Sequence, residues 1–195
     1  MYLRLYPKKN NTIFYTQKGS LNYTEGLINT GGNPIMQLME GNFQSELVFQ
    51  FNIDSELYNR IQTNDSTIRF MIWDAGHLPD MKQSDPKTIQ LYKNEDDFIE
   101  GIGYEFSGKY VKVSNSCYKY RDDANNIWSA KTLVDEKLMD RWHDDILFTI
   151  NKSYITQGLN TFYVKYKNPI MDSEKEFAKY LQSNKTRTIK IPYLE

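Results

Sequence analysis

Few residues of this chain have the type and spacing to do chemistry. They are two histidines, His77 and His143, one cysteine, Cys117, and three runs of carboxylates: Glu95-Asp96-Asp97 with Glu100, Asp122-Asp123, and Asp144-Asp145. Neither histidine has a neighbour at the spacing of a metal pair or a triad, so both read as surface residues in polar loops. A nucleophilic thiol needs a nearby base to lower its pKa. Cys117 is flanked by Ser116 and Tyr118 and reads as a structural thiol. Glycosidases set two carboxylates across a cleft, about 5–10 Å apart. That reading is weighed here against 25 acidic residues in the chain, where adjacent Asp pairs usually belong to solvated turns. Calcium at a sandwich loop suits oxygen ligands, but the twelve-residue calcium loop pattern is absent. The sequence therefore assigns no catalytic residue and no cofactor, and leaves open whether a loop holds a metal.

Two further features ask for a reading. The tyrosines and Trp128 could form a face on which sugars stack. The competing reading places them in the core or at a subunit interface, where aromatic residues are enriched. Gly31-Gly32 is not a phosphate loop, because it lacks the lysine and the strand-to-helix setting.

The elements that must position these groups are strands. In Glu46–Ile53, Leu47, Phe49, Phe51 and Ile53 alternate with Glu46, Val48, Gln50 and Asn52, the period-two pattern of a strand with one face on a core. The alternation returns at 67–73, 146–150 and 162–166. Shorter strands are predicted at 2–6, 12–15, 35–39, 88–92 and 187–191, with Pro192 marking a strand end. Pro7 with Asn10-Asn11 reads as a turn, and Asn29–Pro34 is the strongest turn signal of the chain. Asp54-Ser55-Glu56-Leu57 reads as a capped helix start of one or two turns. Residues 96–103 read as a bulge or a long crossing loop, and 114–130 as a long ordered loop carrying Trp128. Residues 131–142 read as a short helix, or as a strand and a turn, and 172–180 as a surface helix. Many short strands, few helices and no βαβ rhythm predict one domain over 1–195: an all-β, single antiparallel β-sandwich, jelly-roll-like, with short helices in loops.

Composition narrows the function classes. The chain has 195 residues, with 15 Tyr, 10 Phe and 3 Trp, and this aromatic richness favours strands. A net charge of -1 gives no basic excess to hold nucleic acid. One cysteine permits no internal disulfide framework. No apolar run approaches the roughly 20 residues of a membrane helix. The N-terminal Met-Tyr-Leu-Arg-Leu-Tyr-Pro lacks an apolar signal core, so synthesis in a cytoplasm is expected.

Three stretches carry a resemblance. Asn29-Thr30-Gly31-Gly32 leads through Ile35–Glu40 into Ser45–Ile53. Asp97-Phe98-Ile99-Glu100-Gly101-Ile102-Gly103-Tyr104 precedes Ser114-Asn115 and Trp128. Lys185-Thr186-Arg187-Thr188-Ile189 runs on to Pro192-Tyr193-Leu194-Glu195. In this order they resemble DNRLRE-type β-sandwich domains, with Gln50 and Asn52 replacing the usual Arg or Lys and Asp, and Phe98 in place of a tryptophan. The third stretch is similar to the closing strand of a subset found in bacteriophage virions.

The resemblance implies a structural, non-enzymatic virion component made in the host bacterial cytoplasm. Its place is the neck or tail, as a ring, head–tail connector or tail-associated part. It implies assembly with other virion proteins and with copies of itself, as a homo-oligomeric ring, and no nucleic-acid or membrane partner. Loops 16–34, 74–87 and 114–130 are the expected interfaces, and the C-terminus is expected near a partner. The alternative is a carbohydrate-binding module for a host-surface glycan, which would display a coplanar row of exposed aromatics. A polysaccharide-degrading enzyme is the third reading.

Overall fold

The computed structural model describes residues 3–16, 28–41, 43–76, 86–101, 105–106, 109–110, 116–139, 144–169, 177–186 and 188–195. His77, His143, Glu174 to Glu176 and most of loop 16–34 lie outside them.

The strands are β1 (Lys9–Thr16), β2 (Ile28–Asn29), β3 (Ile35–Glu40), β4 (Phe43–Ile53), β5 (Ile68–Ile72), β6 (Lys87–Asn94), β7 (Glu105–Phe106), β8 (Lys109–Tyr110), β9 (Thr132–Met139), β10 (Ile146–Ile150), β11 (Gly158–Tyr166), β12 (Phe177–Gln182) and β13 (Tyr193–Leu194). Six form one antiparallel sheet in the order β2-β1-β4-β11-β6-β9. The facing layer contains β10-β5-β13 and β12-β3. The odd-numbered residues just past β5 join its two parts: Trp73 O accepts from Gln182 N (2.9 Å), and Ala75 N donates to Tyr180 O (3.0 Å). Arg69 turns its backbone groups to the same side, toward Glu195. The layer therefore runs β3-β12-β5-β10, opposite β4-β11-β6-β9. This interleaving of eight strands is a jelly roll, as the alternating pattern predicts.

The core lies between the layers. Phe70 of β5 meets Phe49 and Phe51 of β4 edge-on, with centroids 5.1 and 5.5 Å away, and Phe162 of β11 lies at 5.7 Å. Edge-to-face pairs of this kind add to the gain from burial. Both sides of the sandwich are stitched where its layers approach. On one, Ser45 Oγ donates to Gln37 O (2.5 Å) and accepts from Met39 N (2.8 Å). On the other, Asp135 of β9 accepts from Thr149 N (3.0 Å), and Lys137 donates to Leu147 O (3.2 Å). Side chains thus occupy backbone groups on the outer edges of β3 and β10, which would otherwise be open to a further strand.

Helix α1 (Ser55–Thr63) begins where predicted, with the Asp54 carboxylate accepting from Leu57 N (2.8 Å), and is longer than expected. It lies over one end of the core through Leu57, Tyr58 and Ile61.

Several sequence expectations are corrected. Asn10-Asn11 is no turn but part of β1. Its side chains find non-local partners, Asn11 Nδ2 donating to Ser116 Oγ (2.7 Å) and Asn10 Oδ1 accepting from Asn184 N (2.7 Å). Residues 177–182 form a strand and no surface helix. The predicted helix leaned on charge, yet Ala178, Lys179 and Leu181 are buried, and Lys179 Nζ reaches Asp74 at 2.8 Å. Of the two readings of residues 131–142, the strand holds, over Thr132–Met139. The predicted strand over 187–191 is absent at 188–191, where the Thr186 and Thr188 hydroxyls take the N–H groups of Thr188 and Lys190. The strand comes after Pro192 instead.

The three stretches that carry the resemblance meet at one place. Glu100 accepts from Asn10 N (2.8 Å) and pairs with Lys185 (2.7 Å), while Ser183 Oγ donates to Asn33 O (2.8 Å). Between them the backbones of Gly31 and Gly101 touch. A Cβ on Gly31 would lie 2.2 Å from Gly101 O, and one on Gly101 would lie 2.1 Å from Asn29 Oδ1. Gly31→Ala must therefore push two backbones apart, which predicts a loss of about 1–3 kcal/mol in chemical denaturation. A Gly31→Ala variant as stable as the parent would show that this approach is loose.

Candidate functional site

The outer face of the six-stranded sheet is the most elaborated surface among the described residues. Alternation predicts that Glu46, Val48 and Gln50 of β4 face water. They are 7%, 0% and 1% exposed. The cover is made by residues 95–101 and 116–130, which pack Phe98 and Trp128 on Ile13, Val48, Tyr92 and Tyr163 in a second apolar cluster. Trp128 stands edge-on to Tyr163 with centroids 5.5 Å apart, and its Nε1 donates to Cys117 O (2.8 Å).

Asp96 pins this cover to the sheet. One carboxylate oxygen accepts from Ser129 Oγ (2.7 Å), the other from Ser129 N (2.7 Å) and Asn94 Nδ2 (2.9 Å). Its backbone oxygen accepts from Thr161 Oγ1 (2.6 Å) and Gln50 Nε2 (3.2 Å), both on the sheet. Ion pairs ring the contact: Lys9–Asp97 (2.6 Å), Lys185–Glu100 (2.7 Å), and Lys131 with Glu46. Burial alone would push the Asp97 carboxyl up, but hydrogen bonds from Lys9 and Gln50 hold it below the usual carboxylate range. Burial pushes the Tyr163 phenol well up.

The loop carries a small projecting hairpin. Tyr120 bridges Ile127, and Arg121 N donates to Asn126 O (2.8 Å). Asp122 closes the tip by accepting from Ala124 N, Asn126 N and Asn126 Nδ2. Asn125 takes a positive φ of 61°, which asparagine tolerates. On this shaped hairpin Ile127 is 73% exposed.

Most of the candidate chemistry resolves into structural bonds. Cys117 is 4% exposed, and its Sγ accepts from Tyr120 N (3.4 Å). Asp145 accepts from Asp74 N (2.8 Å), beside exposed Asp144. Among the described residues no three or more His, Cys, Asp and Glu side chains form a group that could hold a metal ion. Nor do the exposed aromatics among the described residues form a coplanar row. Tyr6 stands at 76° to Tyr193, Tyr118 is tilted 38° to Tyr15, and Trp128 is spent on the sheet. A polar depression of about 460 Å³ lies between Lys93, Glu95, Ser129, Thr132, Ser153 and Tyr154. Burial pushes the Lys93 ammonium down, partly offset by Glu95.

Sequence reasoning anticipated an ordered loop with Trp128. It missed the pin, because nothing local separates Asp96 from its acidic neighbours. No protein-family model matches the chain, and no curated protein matches it.

Replacing Asp96 by Asn keeps shape but removes the charge and one acceptor oxygen, and turns the amide either toward Ser129 N and Asn94 Nδ2, which only donate, or toward Ser129 Oγ, which must then give up donating. Each buried group left unmatched costs about 1–3 kcal/mol. We expect Asp96→Asn to lower the Tm by roughly 4–8 °C. It should also speed proteolysis within 116–130 before the sheet unfolds. An unchanged Tm and digestion pattern would show that the loop is held by its aromatic contacts alone.

Proposed function

We propose that the protein is a structural, non-enzymatic part of a bacteriophage virion, in its neck or tail, that joins copies of itself and neighbouring virion proteins through ordered loops. The observation that carries the reading is the cover made by residues 95–101 and 116–130. A long loop fixed by buried, non-local bonds, yet carrying Ile127 73% exposed on a shaped hairpin, suits a contact surface with little ordering entropy left to lose. The stitched edges of β3 and β10 favour loops over strand addition as the means of contact. The three segments that carry the resemblance pack together, which supports treating them as one motif.

A glycan-binding module is the second reading. The polar depression beside Tyr154 favours it, since one ring and several hydroxyls suit a sugar. The covered sheet and the scattered aromatics weigh against it, because stacking needs an open face.

The test is the mass of the purified protein in solution, alone and co-expressed with its genomic neighbours. We expect a closed ring or a stable complex with a neighbour, and expect Ile127→Asp to weaken it without lowering the Tm. A monomer that ignores those neighbours, and is retarded on a column of host-surface glycan, would overturn the virion reading in favour of the second.

A further inference from the structure

The polar depression lies where three parts of the chain meet: the end of β6, the close of the cover and the turn at 151–156. Its volume, about 460 Å³, is that of a small-ligand site. Its lining is not the apolar one of most such sites. Ammonium, carboxylate and hydroxyl groups dominate, and among the described residues only Ala130 is aliphatic.

The walls are fixed before anything binds. Ser129 is tied to Asp96 through both Oγ and N (2.7 Å each). Ser153 N donates to Asn151 Oδ1 (3.0 Å). Thr156 N donates to the buried Asn160 Oδ1 (3.0 Å), and Thr156 O accepts from Asn160 Nδ2 (2.8 Å). A ligand here meets groups already in place, so little ordering opposes its binding.

Two charged side chains keep bonding capacity that the fold does not use. Lys93 is 7% exposed and lines the depression. Its ammonium has three N–H donors. Among the described residues two acceptors reach it, Thr156 Oγ1 at 3.0 Å and Glu95 Oε1 at 3.5 Å, the second at the limit of a hydrogen bond. The Glu95 side chain is 61% exposed, and Lys93 is its one partner among the described residues. Asp96 differs, because Ser129 and Asn94 already occupy its carboxylate. A buried ammonium short of acceptors is costly, and an incoming oxygen relieves it.

This pair sets the class of ligand. An anion would meet Lys93 but face Glu95 and Asp96 at close range. A cation would face the buried ammonium. A neutral molecule with adjacent hydroxyls suits both groups: one oxygen accepts from Lys93 while its neighbour donates to Glu95. The hydroxyls of Thr132, Ser153 and Tyr154 line the same depression and serve as donor or acceptor. We propose that the depression binds a neutral sugar through two adjacent hydroxyls, with Lys93 as donor and Glu95 as acceptor. The choice of a sugar rests on the second reading above; the inference adds the class of sugar and the two residues that select it.

Two measurements on the full chain test it. Amide shifts in NMR are followed on adding the methyl glycosides of glucose, galactose and mannose, with glucuronic acid beside them. Retention is followed on a column of host-surface glycan. We expect a neutral glycoside to move amides within 93–96, 129–132 and 153–156, and glucuronic acid to bind more weakly. Glu95→Ala changes an exposed side chain, so its Tm should match the parent's, while losing a charged hydrogen bond weakens binding about tenfold to hundredfold. Lys93→Met should weaken it as much. Glucuronic acid bound as tightly as the neutral glycosides would overturn the donor–acceptor assignment. Saturable shifts elsewhere, or column retention that Glu95→Ala leaves intact, would overturn this site while leaving a glycan-binding module standing. No shift with any sugar and no retention on the column would overturn both.

Discussion

The buried carboxylate of Asp96 is the constraint on which the outer half of this molecule depends. A charge taken out of water must be matched by donors, or it destabilises the fold by several kcal/mol. Here three donors, from Ser129 and Asn94, meet its two oxygens, and two sheet side chains hold its backbone carbonyl. The demand works in both directions: the carboxylate is tolerable only when the loop is docked, and the docked loop is specified by the carboxylate. Phe98 and Trp128 add burial, which is not directional. Asp96 supplies the register.

This arrangement changes what the jelly roll presents to its surroundings. A bare sheet face would offer an open platform suited to stacking an extended ligand. The cover converts that face into a second, smaller core and moves the exposed surface outward to the hairpin at Ile127. The interior layer is conventional by comparison, with four phenylalanines bridging the sheets. The edges are closed by Ser45, Asp135 and Lys137, so neither β3 nor β10 offers a free ladder. What the described surface leaves for association is side chains on turns, Ile127 above all.

The strands with strong alternation were legible in the sequence, and so were the Asn29–Pro34 turn and the helix cap at Asp54. These depend on local chemistry: side-chain period, backbone freedom and a single polar cap. What could not be read depends on partners far away in the chain. Asn10-Asn11 resembles a turn until Ser116 and Asn184 bond to it. Lys179 reads as surface charge until Asp74 lies beside it inside the sandwich. Val48 and Gln50 read as a wet face until the cover arrives from residues 95–101 and 116–130. The alternation of Thr188 to Ile191 misleads for the opposite reason, because threonine hydroxyls capture nearby N–H groups and favour a turn over a ladder. The candidate site was legible only as a long ordered loop.

The central claim is that the loop and the sheet form one cooperative body. Hydrogen exchange followed by mass spectrometry reads this directly, because Ile99, Ser116, Cys117 and Arg121 all donate backbone hydrogen bonds within the cover. The account predicts that peptides from 96–101 and 116–130 exchange nearly as slowly as those from β4 and β11, so that opening the cover costs close to what opening the sheet does. Exchange of the cover within seconds, beside a protected sheet, would contradict it. The outer face would then open as a cleft, and the jelly roll would present a binding platform after all.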